Sequence, residues 1–292
     1  MPVQTLLGAA NGRTGREVLR ALVAQGQDVR ALVRQGAQSQ ALLALGATDC
    51  AIGDLQDAAS LRAAAKGCDT VIYIGPPMHA DEVAMASSFY NAAKQAGCEH
   101  FVYYSVLHPV CRDIRHHRLK LEVEEIIVNG PLPFTIVQPA RYMQHLEPLL
   151  PAIRATGVHA MPFSTEVRFN VVDLADVAAA AAMVVTEPRW RYGTYELAGP
   201  EALSQTDMAA TLTRVLGRRV EAQPLPLATM RERAAKAGAS ADRVEQMALM
   251  NEHYDQHGML GNPLVLELLL GRAPTGFAQY AARVAGVPTR PP

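Results

Sequence analysis

The chain has 292 residues, 49% hydrophobic and 19% charged, enough to bury a large core in one large domain or two small ones. A formal net charge of −1 excludes a global electrostatic pull toward nucleic acid or an anionic membrane. The four cysteines have neither CxxC nor zinc spacing, and neither a secretory leader nor a bilayer-spanning run is read, so a cytoplasmic protein with reduced thiols and no metal is expected.

The first element is an apolar strand over 3–7. A glycine turn follows, and a helix is expected to start at Thr14 and run to 25. Gly8, Gly12 and Gly15 stand in a GxxxGxxG spacing. Gly8 is expected to let the strand end in a tight turn, Gly12 to let backbone approach a pyrophosphate, and Gly15 to let the helix pack on the strand. A helix N-terminus offers unpaired N–H groups and partial positive charge, which suits phosphate.

Further strands are expected over 28–33, 48–52, 70–74, 100–105 and 134–138, with helices over 39–45, 58–66, 80–96 and 112–128. Near-continuous apolar strands imply burial on both faces, hence a parallel sheet between helix layers. The fold class is therefore α/β, a doubly wound parallel (Rossmann) sheet, with ligands at the carboxyl ends of its strands.

The second strand ends at Arg34, where an NAD-binding fold carries Asp or Glu. An Arg suits a 2′-phosphate through paired charge-assisted hydrogen bonds, and Arg13 could reach the same group, so NADP (NADPH) is favoured over NAD. Asp54 at the third strand's end could accept from an adenine amino group, and Asp57 is expected to cap the next helix. Gly75 and Pro76 shape a rigid loop that can pass beside a cofactor, or a plain turn. Ser105 ends the fifth strand, placed to touch a substrate oxygen. In the helix that follows, Leu119, Val123, Ile126 and Ile127 share one side, while His116, Lys120 and Glu124 share another. Lys120 could bind ribose hydroxyls and shift a neighbour's pKa, or form an ordinary surface pair with Glu124.

The motifs GAANGRTG, VRALVR and GDLQD, Lys120 with Glu124, the 133–143 stretch and the 170–178 stretch together resemble the NmrA-like group of atypical short-chain dehydrogenases, which holds both reductases and redox-sensing regulators. The resemblance covers about the first 200 residues. It implies that Gly8, Asn11, Gly12, Arg13, Thr14 and Gly15 form the phosphate loop. It makes Arg34 the 2′-phosphate ligand and Asp54 and Leu55 the adenine contacts, with Gly75, Pro76 and Pro139 also along the cofactor. Lys120 matches the lysine of the short-chain YxxxK pair. The tyrosine of that pair does not match: His116 stands in its place and could donate the proton instead, whereas His117 points about 100° away.

Beyond Pro139, Tyr142 is expected to stand over the nicotinamide as a substrate-facing hydroxyl, or else to pack. A helix is expected over 146–156, a strand over 168–172 and the last sheet strand near 192–197. From Ser204 the chain reads as mainly helical, over 205–216, 227–237, 241–257, 264–270 and 276–284, and the tail 288–292 as disordered. The expected division is a cofactor domain of 1–140 plus 173–200 and a smaller, mainly helical C-terminal substrate lobe of 141–172 plus 201–292. Met230, Met247, Met250 and Met259 would line that lobe's packing surface or an apolar pocket. His253 and His257 have metal spacing but no third ligand, and read as a surface helix face.

The expected function is NADP-dependent transfer of a hydride between nicotinamide and a small apolar or aromatic carbonyl, quinone, imine or activated alkene. Lys120, His116, Ser105 and Tyr142 are the expected catalytic residues. Two alternatives stay open: a non-enzymatic NADP(H)-binding redox sensor acting through a protein partner, and a cofactor-using isomerase or lyase. The expected partner is a small-molecule substrate, with no nucleic acid and no membrane; a homodimer is an open option.

Overall fold

The computed structural model describes residues 4–287; the predicted strand residue Val3 and the tail 288–292 lie outside them. Strand and helix alternate through β1 (Gln4–Leu7), α1 (Arg13–Ala24), β2 (Asp28–Val33), α2 (Ser39–Leu43), β3 (Asp49–Ile52), α3 (Ala58–Ala65), β4 (Thr70–Ile74), α4 (Glu82–Ala96), β5 (His100–Tyr104), α5 (Arg115–Val128) and β6 (Phe134–Pro139). The chain then runs through β7 (Arg141–Tyr142), α6 (Leu150–Thr156), β8 (Val158–Met161), β9 (Phe169–Val172), α7 (Leu174–Thr186) and β10 (Gly193–Leu197). Last come β11 (Ala202–Leu203), α8 (Gln205–Leu216), β12 (Glu221–Pro224), α9 (Leu227–Lys236), α10 (Ala241–His257), α11 (Leu264–Leu270) and α12 (Phe277–Ala285). No described helix is long and apolar enough to cross a membrane.

Two compact units result. The first takes in the chain to Arg112, His116–Pro139 and Leu174–Tyr195. Its seven-stranded sheet has the order β10-β6-β5-β4-β1-β2-β3, and the strands from β3 across to β6 pair in parallel. The order reverses between β1 and β4, where such sheets open a crevice. β4 and β5 are buried along their whole length, as their unbroken apolar runs require. On one face Leu6, Tyr73, Tyr103 and Ile136 pack against Leu61 of α3, Phe89 of α4 and Val123 and Ile127 of α5. Tyr73 stacks on Tyr103 at 5.9 Å and meets Phe89 edge-on at 5.6 Å. On the other face α1 packs against α7.

The glycine turn is built differently from the expectation. The left-handed residue is Ala9, at φ 49°, not Gly8. Gly8 is small for packing: a Cβ there would stand 2.8 Å from Phe89 Cε1. A Cβ at Gly15 would overlap the Ala9 carbonyl oxygen, so α1 presses on the turn itself rather than on β1. α1 also starts one residue earlier than read, at Arg13.

α5 departs further. It starts at Arg115 rather than at 112, and its buried stripe is His117, Lys120, Val123, Glu124 and Ile127. Ile126, read as part of the apolar side, is exposed. The core-facing stripe is thus the one that carries the charges. The cause is the buried polar cluster described below.

The second unit comprises Asp113–Arg115, Ala140–Asp173 and the described chain from Glu196. It holds a three-stranded sheet, β11-β9-β7, and a parallel pair of β8 with β12. β7, β8, β11 and β12 escape the sequence reading. They have two to four residues each, and the Glu-Ala-Gln-Pro run of β12 has no apolar alternation. The helix read from 146 is α6, preceded by a 3-10 stretch, Met143–Leu149, whose Pro148 is incompatible with regular α-helical bonding. α8 is closed by a capping box: Ser204 Oγ accepts from Asp207 N at 3.1 Å, and Ser204 N donates to Asp207 Oδ2 at 3.0 Å.

Candidate active site

At the carboxyl ends of β1 to β4, within the first unit, lies a cleft of about 450 Å³. Asn11 and Gly12 form one wall, Arg34 and Gln38 a second, and Asp54, Leu55, Pro76 and His79 the remainder. α1 points its N-terminus here. Its N-cap is Gly12, which has no side chain to occupy the first N–H groups, and no acid stands in the first turn. Such a helix end favours an anion. Arg16 fixes the loop by donating from Nε to Asn11 O at 3.2 Å and from a terminal nitrogen to Asn11 Oδ1 at 2.6 Å.

Arg34 is exposed at the cleft edge, just past β2. The Gln38 amide oxygen accepts from Arg34 N at 3.2 Å and Gln35 N at 3.3 Å, which sets the course of the backbone there. Asp54 Oδ1 accepts from Gln56 N at 2.9 Å, and Asp57 caps α3 through Ala59 N at 3.0 Å, as expected. Arg13, at the first turn of α1, is exposed and is not part of the cleft wall. The sequence reading missed Gln38 and His79, because neither type is diagnostic in a loop.

Beyond the tips of β4 and β5 sits a buried polar cluster. Lys120 Nζ donates to Glu82 Oε1 at 2.7 Å and to Tyr104 O at 3.1 Å, and lies 5.0 Å over the Tyr103 ring. Tyr103 OH donates to the same Glu82 oxygen at 3.1 Å. Glu82 and Lys120 are only 1% and 4% exposed, so the ordinary surface Lys–Glu pair is excluded. Glu82 Oε2 has no hydrogen-bond partner, and its carboxylate fills the space where a Cβ on Gly75 would stand. Gly75 is therefore required by this carboxylate. Lys120 keeps one N–H beyond the two it uses.

Glu124, one turn on, takes its partner elsewhere. Gln138 Nε2 donates to its two oxygens at 2.9 and 3.0 Å, and Ser105 stands beside it. Burial raises the Glu124 carboxyl above the usual carboxylate value, while Ser105, Gln138 and Lys120 oppose the rise. His116 is half-buried. Burial, then Lys120 and His117, push its imidazole down to about 3, so the imidazolium expected as proton donor is not populated at neutral pH. His117 is fully buried, and its ring nitrogen bonds the carbonyl of His108, a residue held at φ 54°. The fold thus brings Lys120, Ser105 and His116 to one end of the first unit and adds Glu82, Glu124 and Gln138. Pro139 closes β6 there, its carbonyl accepting from Leu107 N at 3.0 Å.

Tyr142 belongs to the second unit. It forms β7 with Arg141, in register with Val172, and lines a cavity with Arg141, His145, His159 and Phe163. The methionines at this cavity are Met143, Met161 and Met208; of the four read from the sequence, Met230 and Met259 are buried in the packing of the second unit. On α10 the His253 and His257 rings lie 4.5 Å apart; among the described residues no three His, Cys, Asp or Glu side chains group to hold a metal.

The NmrA-like family model matches residues 5–277. An NAD(P)H azoreductase of Xenophilus azovorans is 33% identical over 236 residues, 79% of this chain and 80% of that protein. Quinone oxidoreductase 2 of Escherichia coli (strain K12) is 26% identical over 234 residues, 80% of this chain and 82% of that protein. The crystal structure of the E. coli NADPH-dependent quinone oxidoreductase QOR2 complexed with NADPH superposes with a TM-score of 0.86 at 25% identity, covering 96% of this chain and 99% of that one.

Proposed function

The chain belongs to the NmrA-like family, and from that premise we propose that it is an NADPH-dependent reductase of small apolar or aromatic acceptors, quinones and azo compounds among them. The observation that carries this reading is the cleft in which a bare helix N-terminus and Arg34 share one wall system, with Arg rather than an acid at the end of β2. A pyrophosphate fits the Gly12 end, a 2′-phosphate fits Arg34, and Asp54 and Leu55 fit the adenine. Gly8, Asn11, Thr14 and Gly15 shape the phosphate turn, and Arg13 strengthens its positive field.

When bound, the nicotinamide supplies the hydride. The chain's own residues hold and orient. Lys120, fixed by Glu82 and the Tyr104 carbonyl, would donate its remaining N–H to a ribose hydroxyl of the bound cofactor. Gly75, Pro76 and Pro139 would lie along the bound cofactor. Glu124 is the proton reserve, because its raised carboxyl keeps a proton to higher pH than an ordinary one; Ser105 Oγ relays it. His116 acts in this reading as a neutral imidazole and not as the acid. Tyr142 serves the substrate, in the cavity of the second unit. The cysteine spacing, which has neither CxxC nor a zinc pattern, and the net charge of −1 support a cytoplasmic enzyme without nucleic-acid partners.

The test is a panel of quinones and azo compounds with the purified protein, following loss of NADPH absorbance against pH. Acceptor-dependent oxidation is expected, with kcat/KM falling as pH rises through the raised Glu124 value, because the protonated acid is the active form. Glu124→Gln should lose that limb. Tight NADPH binding without oxidation by any acceptor would instead favour the redox-sensor reading, to which the absent short-chain tyrosine also points.

A further inference from the structure

The second unit holds a cation with no counter-charge. Arg141 begins β7, and its guanidinium lies 5.2 Å over the Phe163 ring and 5.8 Å over the Phe169 ring. Its one hydrogen bond reaches only the Met161 sulfur, at 3.8 Å. Among the described residues no carboxylate stands within ion-pair distance of it. Among the described residues other arginines, such as Arg30, Arg115, Arg231 and Arg283, end on an acid. Burial lowers the Arg141 guanidinium to about 10, which leaves it charged at neutral pH.

Beside it, in β8, His159 is 3% exposed and its Nδ1 has no hydrogen-bond partner. Burial and Arg141 depress this imidazole to about 4, so it is neutral and can turn an N–H toward an acceptor. Gln205 adds a third polar atom: Nε2 donates to Phe163 O at 2.6 Å, and Oε1 is buried without a partner. These groups line one cavity of about 30 Å³ whose remaining walls are mostly aromatic, thioether and aliphatic side chains, with Tyr142 and His145 also at the wall. By the usual measure of roughly 10–15 Å³ per water, that is two or three water positions. It is the size of a carboxylate group and not of a ring. Leaving a half-buried cation without a carboxylate and two orphaned buried polar atoms facing a mostly apolar cavity is costly unless something completes them.

We propose that this cavity is a recognition site for the carboxylate of an aromatic substrate, with Arg141 as the ion-pairing donor and His159 Nδ1–H as the second donor. The aromatic body stays outside the cavity, and Gln205 Oε1 takes a water or a donor on the substrate. The proposal rests on the reductase reading for its substrate, but the site itself is a binding property and is tested as one. It makes Arg141 a specificity-determining residue, and selects carboxylated acceptors over neutral ones of the same shape.

The experiment compares 4-(phenylazo)benzoate with its methyl ester. Binding of each is measured by titration calorimetry to the full chain loaded with NADP⁺, and reduction of each is then followed with NADPH. The carboxylate is expected to bind at least about tenfold tighter than the ester, as befits a charge-assisted pair. Arg141→Met should abolish that preference, and Arg141→Lys should keep part of it, with NADPH affinity unchanged in both. Equal binding of acid and ester by the wild-type chain overturns the proposal without recourse to any variant. A preference that survives in a folded Arg141→Met chain overturns it too. If the preference stands but neither compound is reduced, the site is supported and the reductase reading falls. If both are reduced alike and bound alike, the reverse holds.

Discussion

Lys120→Ala is expected to lose activity and stability together. The ammonium is buried against Glu82 at 2.7 Å, with 5% and 2% of the two side chains exposed. Truncating it leaves Glu82 desolvated with Tyr103 OH as its remaining donor, and breaking such a pair costs about 3–5 kcal/mol. Thermal unfolding should fall by about 10 °C. From spacing alone, a helix-surface lysine could be removed with the fold intact; the observed burial overturns that expectation. The two effects separate in a double variant. Lys120→Met with Glu82→Gln replaces both charges, keeps a donor–acceptor group for Tyr103 and should recover most of the lost stability. It should not recover NADPH oxidation, because the N–H for the ribose is gone. Calorimetry and initial rates on the three chains check both parts. Wild-type rates in the double variant would remove Lys120 from the cofactor site. An unchanged melting temperature in Lys120→Ala would show that the pair contributes nothing.

Arg34→Ala should weaken NADPH by about ten- to a hundredfold while leaving NADH nearly unchanged. Charge-assisted hydrogen bonds are worth about 1.5–3 kcal/mol, which sets that range. The side chain is exposed and has no ion pair among the described residues, so the melting temperature should not move. Fluorescence titration with both nucleotides gives the answer. Parallel losses for the two would mean that Arg34 contacts something other than the 2′-phosphate. The effect should shrink in high salt, since the contact is at the surface.

These two residues mark what was legible in the sequence. Arg34 was, because its meaning depends on a strand end that the apolar run of β2 announces, and the run was bounded correctly at Asp28–Val33. In the second unit the helices α8, α10 and the short α11 are equally plain from the sequence. Lys120 was singled out, but its surroundings were not. Its partner Glu82 is 38 positions away and opens another helix, and nothing local says that a glutamate there turns inward. Glu124 was paired with Lys120 by helical spacing, yet its oxygens are held by Gln138 on β6. Apolar counting placed Ile126 on the inner side of α5, because counting cannot foresee a core stripe that holds Lys and Glu. β7 and β8, which carry Arg141 and His159, are too short to leave a pattern.

The contact between Gly75 and the Glu82 carboxylate has a consequence for how this chain tolerates change. Positions 75 and 82 behave as one. Any side chain at 75 meets the acid, so a library in which 82 stays Glu should return glycine alone at 75. Shortening 82 frees the space but strands Lys120. A larger residue at 75 therefore requires replacement at 82 and 120 as well, and no single step reaches it. Relatives with a larger residue at 75 should have moved off Glu82 and Lys120 as well, so a lysine retained at 120 beside a larger residue at 75 would signal a different geometry around the ribose.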